Sequence, residues 1–180
     1  TGLHIQYYKA NPTRRPAGNR VTGGSITGAA DCLRFTSSSG NVVEDTVLRD
    51  CRTEVRSEAP AGPSENTIVG HAPEKVMLDE GSILHMGWRL AIHVQEAGGA
   101  PLGGTQVEVR DASGIPVVNA ATDESGNTPA QVIIVSTRSA STTASRTPHT
   151  LSITRAGYAP DVRVVSMTQH LNLTISLRPQ

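Results

Sequence analysis

The chain has 180 residues and equal numbers of basic and acidic side chains, 16 of each. That balance argues against nucleic acid as the main partner, because neutralising phosphates needs a basic surplus or a basic face. One Trp, one Phe and three Tyr leave the core to Val, Ile, Leu and Ala, and no apolar run of about 18 residues is present to cross a membrane as a helix.

Thr1 opens the chain without Met or a charged-then-apolar leader, as expected for a processed mature chain or a piece of a larger one. Residues 2–9, GLHIQYYK, alternate Leu3, Ile5 and Tyr7 against His4, Gln6 and Tyr8, which predicts a half-buried strand. NPTRRPAG follows with two prolines and reads as a loop.

A repeat comes next. Gly18-Asn19-Arg20-Val21 recurs as Gly40-Asn41-Val42-Val43 and more loosely as Glu65-Asn66-Thr67-Ile68, with the Asn residues 22 and 25 apart. Ile26 and Leu48, and Leu33 and Val55, keep the first spacing. Stacking explains such a period: when each pass of chain lies about 4.8 Å above the last, like positions lie over like. Asn suits the corner, because it tolerates a left-handed bend and stacked amides can bond from pass to pass.

Residues 18–70, from GNRVTGGSITGAADCLRF through ENTIVG, resemble the right-handed parallel β-helix repeats of secreted proteins. About three coils fit. A solenoid that short must lean on a second domain, on further coils or on another subunit. Cys32 and Cys51 lie in this stretch, 19 residues apart. The pair forms a disulfide in an exported protein, or supplies two small buried side chains in neighbouring layers. Residues 57–64, SEAPAGPS, read as a loop, and HAPEKVMLDEGSILHMG as a junction whose Val76–Leu78 and Ile83–Leu84 close the stack.

From Trp88 the pattern changes. Leu90, Ile92 and Val94 alternate with polar or small neighbours, as do Val107 and Val109, and Leu171, Leu173, Ile175 and Leu177. Turns at Glu96–Gly104, Asp111–Gly114, Asp123–Asn127 and Gly157–Pro160 separate about seven strands, the pattern of an antiparallel sandwich. Three motifs stand in order: GGAPLGG before VEVRDASG, then TDESG, then ITRAGY. On them, residues 88–178 resemble the carboxypeptidase-regulatory-like domain, a transthyretin-like sandwich. The resemblance implies a small, rigid, non-catalytic module of secreted proteins. The insertion Ser136–Arg146, STRSASTTASR, departs from it and is expected to be an exposed, mobile loop. The expected fold class is thus all-β, with a short parallel β-helix (solenoid) segment over 1–87 and a seven-stranded antiparallel β-sandwich over 88–180.

No catalytic constellation stands out, and no cofactor is expected. His4, His71, His85, His93, His149 and His170 show no paired ligand spacing, which reads as no metal site. Asp123, Glu124 and Asn127 miss the EF-hand spacing, and the TDESG turn needs Asp and Gly for backbone reasons. Asp31, Glu44, Asp45, Asp50 and Glu54 fall on the coils, where paired carboxylates about 5–10 Å apart would suit glycoside cleavage; solvated surface acids are the simpler reading. No Lys lies in 88–180 to form a Lys–Asn isopeptide bond. Asn172-Leu173-Thr174 is a glycosylation sequon, with Asn172 on the outer face of the last strand. The Ser/Thr run from Ser136 is a second candidate carrier of glycans.

These readings describe a non-enzymatic extracellular or cell-surface structural protein. It would self-associate as a homo-oligomer or polymer through the open β-helix end, as a filament or surface-layer subunit. The alternatives are the C-terminal fragment of a secreted carbohydrate-active β-helix protein (a polysaccharide lyase or glycoside hydrolase) and a carbohydrate-binding or adhesion module with a polysaccharide partner. The scarcity of aromatics weighs against the last.

Overall fold

A computed structural model describes residues 2–6 and 18–180. Every regular element in that part is a strand. The expected loop over 11–17 and the Tyr7 and Tyr8 positions of the first strand lie outside the described residues. The chain forms two compact units, Thr1–Gly87 with Ser136–Ala144, and Trp88–Val135 with Ser145–Gln180.

The first unit opens with β1 (Leu3–Gln6), β2 (Arg20–Thr22) and β3 (Ser25–Thr27). It continues through β4 (Asp31–Thr36), β5 (Val42–Glu44), β6 (Val47–Arg49), β7 (Thr53–Glu58), β8 (Ser64–Val69) and β9 (Val76–Leu78), and enters β10 (Ser82–Glu96). The pairings among these strands are parallel. One sheet runs β1-β4-β7-β9; β2, β5, β8 and β10 adjoin in a second; β3 pairs with β6. Leu33 faces Val55, Val21 faces Val43, Val43 faces Ile68, and Ile26 faces Leu48. These rows, with Phe35, Leu84 and the two cysteines, make one buried cluster. Between the strands the chain must turn sharply, so Ser37, Asp45 and Asp50 adopt left-handed conformations with φ of 47°, 52° and 54°. At Gly40, φ is 73° and a β-carbon would press on the Gly18 nitrogen at 3.3 Å, so glycine suits both demands.

The sheets do not form the expected solenoid. Stacked coils need every wall to continue through the stack, yet the β3–β6 wall ends after two strands. β10 does not end with its pass either: its first half pairs with β8 and its second half with β17 (Leu171–Leu177).

In the second unit, β11 (Gln106–Arg110) lies between β12 (Pro116–Ala121) and β15 (His149–Thr154), and β15 pairs with β16 (Asp161–Val165). This four-stranded sheet is antiparallel, in the order β12-β11-β15-β16. By contrast β17 runs parallel to β10, with Leu90 opposite Leu171 and Val94 opposite Ile175. The expected single seven-stranded antiparallel sandwich is therefore corrected: the chain holds several sheets and mixes both strand directions. Leu90, Ile92, Val94, Val107, Val109, Leu151, Ile153 and Ile175 build the buried core, each from the inner face of an alternating strand.

Two turns lock this unit. The Leu102 N–H donates to the Val94 carbonyl at 2.9 Å and the Val94 N–H to the Gly126 carbonyl at 2.7 Å, so both glycine-rich turns grip the C-terminal end of β10. The Thr122 hydroxyl bonds the Leu102 carbonyl at 2.6 Å and receives the Thr105 N–H at 3.0 Å. The insertion after Val135 differs from expectation. β13 (Gln131–Ser139) and β14 (Thr143–Ser145) occupy most of it, joined where the Ser139 N–H meets the Thr142 carbonyl at 2.8 Å. Ser and Thr make the run polar enough to read as loop, but Thr is also a good strand former.

Candidate interaction surface

The acids of the coil stretch, read as solvated surface groups with a catalytic groove as the alternative, are engaged in pairs and turns, and Asp31 and Glu44 are buried rather than solvated. Asp31 pairs with Arg56 at 3.7 Å, and Glu44, 1% exposed, bonds Arg20. Glu54 caps the backbone N–H of Glu74 at 2.6 Å. Asp45 and Asp50 serve left-handed turns. Asp31 and Glu54 stand on the paired strands β4 and β7, and Glu44 on β5 in a different sheet, so the topology puts Glu44 on a separate wall from the other two. A denser charge cluster lies on β4 and β7, where Arg34 grips Glu58 at 2.8 Å and Arg56 reaches the same carboxylate at 3.2 Å. The bond to Glu58 raises Arg34 above the ordinary guanidinium range.

The histidines are dispersed. His4 bonds Thr36 at 3.1 Å, His85 lies between Glu65 at 2.8 Å and Thr137 at 3.1 Å, and His93 bonds Asn127 at 3.0 Å. His170 accepts the Arg89 N–H at 2.8 Å and meets the Trp88 ring edge-on at 5.5 Å. Half-buried His71 and buried His149 lie in different units. Among the described residues no three His, Cys, Asp or Glu side chains gather to hold a metal ion.

Cys32 and Cys51 are joined by a disulfide, their Cα atoms 5.8 Å apart. Such bonds form and persist mainly in oxidising compartments. Asn172 and Thr174 are exposed on β17, beside Leu173 and opposite the buried Ile175. Among the described residues no helix is long and apolar enough to cross a membrane.

The exposed apolar surface concentrates on β16. This strand is the last of its sheet, so one side of its backbone has no neighbouring strand in that sheet. Alternation gives it two faces. Asp161 lies opposite Ile153 and Arg163 opposite Leu151, on the inward side. Val162 lies opposite Ser152 and Val164 opposite Thr150, on the outward side, 66% and 72% exposed. The Arg163 guanidinium donates to both Asp161 oxygens, at 2.7 and 3.1 Å. That bond holds Arg163 above its ordinary pKa. Hydrophobic alternation alone would turn the valines inward and the charges outward, so the sequence reading of 161–165 as a plain strand missed this surface.

No family model matches the chain, and no curated protein matches it. Among solved structures the chain is similar to the Bacillus anthracis TIE protein, at 13% identity over 64% of this chain and 20% of that one, with a TM-score of 0.42. The resemblances to β-helix repeats and to the carboxypeptidase-regulatory-like domain are both set aside. No model of either family matches, and the walls described above do not build a solenoid. Short motifs of Gly, Asn and Asp recur wherever β chains turn tightly, which is why they suggested families the whole chain does not support.

Proposed function

We propose that this chain is a non-enzymatic extracellular structural protein that self-associates through open sheet edges, as a subunit of a filament or surface layer. The observation that carries the reading is β16, an edge strand whose outward valines are the two most exposed large apolar side chains among the described residues. An unpaired edge offers backbone donors and acceptors to another chain, and exposed valines beside it reward their burial. The disulfide supports an extracellular setting. The engagement of Asp31, Glu44 and Glu54 by arginines and backbone supports a structural rather than a hydrolytic role.

Sedimentation of the full chain over a hundredfold concentration range, with electron microscopy of the same samples, tests this. Growth of oligomers with concentration is expected. A chain that stays monomeric throughout removes the assembly reading.

A further inference from the structure

We infer that the assembly contact is β16 against β16 of a second copy, antiparallel and centred on Val162. The inference rests on the self-association proposed above and names its partner and register.

The charges of the strand select the register. An antiparallel edge pair places directly opposite residues on the same face. Centring on Val162 sets Val162 against Val162 of the second copy, Asp161 against Arg163, and Arg163 against Asp161. Both cross-strand charge pairs are then attractive. Centring one residue further, on Arg163, sets two guanidinium groups against each other, which like-charge repulsion disfavours. A lone inward charge is a common device for blunting an edge. Here two opposite charges stand two residues apart and satisfy each other within one chain, bound at 2.7 and 3.1 Å. They satisfy each other equally well across a two-fold axis.

The opposite edge of the same sheet is a poorer candidate. β12 begins with Pro116, which has no N–H to give, and it carries no charged side chain to fix a register. The β16 contact is isologous and closes on itself as a dimer. Growth into a longer assembly requires a second edge.

Two charge reversals test the register in the full chain. Asp161→Arg and Arg163→Asp each turn both cross-strand pairs repulsive, so each should weaken self-association about tenfold. Mixed together, one variant presents Arg at both positions and the other Asp at both, so the mixture should form heterodimers although neither variant pairs with itself. Neither variant keeps the Asp161–Arg163 bond within the chain, so recovery on mixing reports only the contact between copies. Val162→Lys, at a solvent-exposed position, should give a comparable loss and covers the case in which a reversal disturbs folding.

Self-association of the wild type that is unchanged by Val162→Lys and by both reversals overturns the β16 contact and leaves the assembly reading standing. A wild type that is monomeric throughout overturns both.

Discussion

Asn41 donates its side-chain amide to Oδ1 of Asn66 at 2.7 Å, and neither side chain reaches water. Asn19 makes the same bond to Asn41 at 2.8 Å, and Asn66 passes its own amide to the Ser38 carbonyl at 2.8 Å. The ladder thus crosses three passes of the chain and satisfies polar atoms that burial would otherwise leave unpaired.

Asn41→Ala should therefore cost about 1–2 kcal/mol, since it removes a buried amide bonded to both neighbours, although the backbone N–H of residue 41 still reaches the Asn66 oxygen at 3.2 Å. Asn19→Ala, at an exposed rung, should cost under about 1 kcal/mol. Urea unfolding with an unchanged m-value measures both. Equal costs at the two positions would mean that the ladder is not a source of stability.

Reducing Cys32–Cys51 frees a loop of 19 residues. The unfolded chain gains entropy, and stability should fall by about 3 kcal/mol. Denaturant midpoints with and without reductant give the figure, and Cys32→Ser with Cys51→Ser should lose sensitivity to reductant.

Gly126→Ala should be among the most damaging single changes in the second unit. Gly126 has φ of 77°, and a β-carbon there would run into the Val94 carbonyl oxygen. Strain and the broken grip on β10 together should cost at least about 2 kcal/mol, read as a lower melting temperature. Gly114→Ala also sits at φ of 77° but meets nothing within 4 Å, so it should cost less.

Acid should act in two stages. Burial is the largest influence on His149 and pushes its pKa below 6.5, against weaker upward pulls from the Ile134 backbone and Asp111. The unfolded chain then takes up a proton that the folded chain refuses, so stability falls as pH drops below about 6.5. Desolvation raises Asp111, but the N–H groups of Ile115 and Ser113 and the Arg146 guanidinium outweigh it and hold the carboxyl below 3.8. Its contribution is present above that value and is lost as pH falls further. Unfolding midpoints from pH 8 to pH 3 should show both losses, and His149→Gln should remove the first alone.

The legible parts of the fold were those in which sequence spacing maps directly onto space. Ile26 faces Leu48 and Leu33 faces Val55 because parallel strands turn a fixed offset along the chain into neighbourhood across it. The inward rows Val107, Val109, Leu151 and Ile153 were readable for the same local reason, the two-residue period of a strand. Composition, too, excluded helical membrane spans and a core of aromatics. Composition misled at Ser136–Arg146, where Ser and Thr suited either loop or strand and pairing decided for strand.

Tertiary structure alone decided three matters. It brought Cys32 to Cys51, where the spacing left bonded and unbonded forms open. It set β17 beside β10 and parallel to it, a partnership between distant segments that no local pattern encodes. It also turned β16 so that Val162 and Val164 stand on the outer face, while Asp161 and Arg163 share the face of Ile153 and Leu151 with the Arg163 side chain still exposed. Alternation in a sequence says only that two faces differ. Which face meets water depends on what the rest of the chain has already buried.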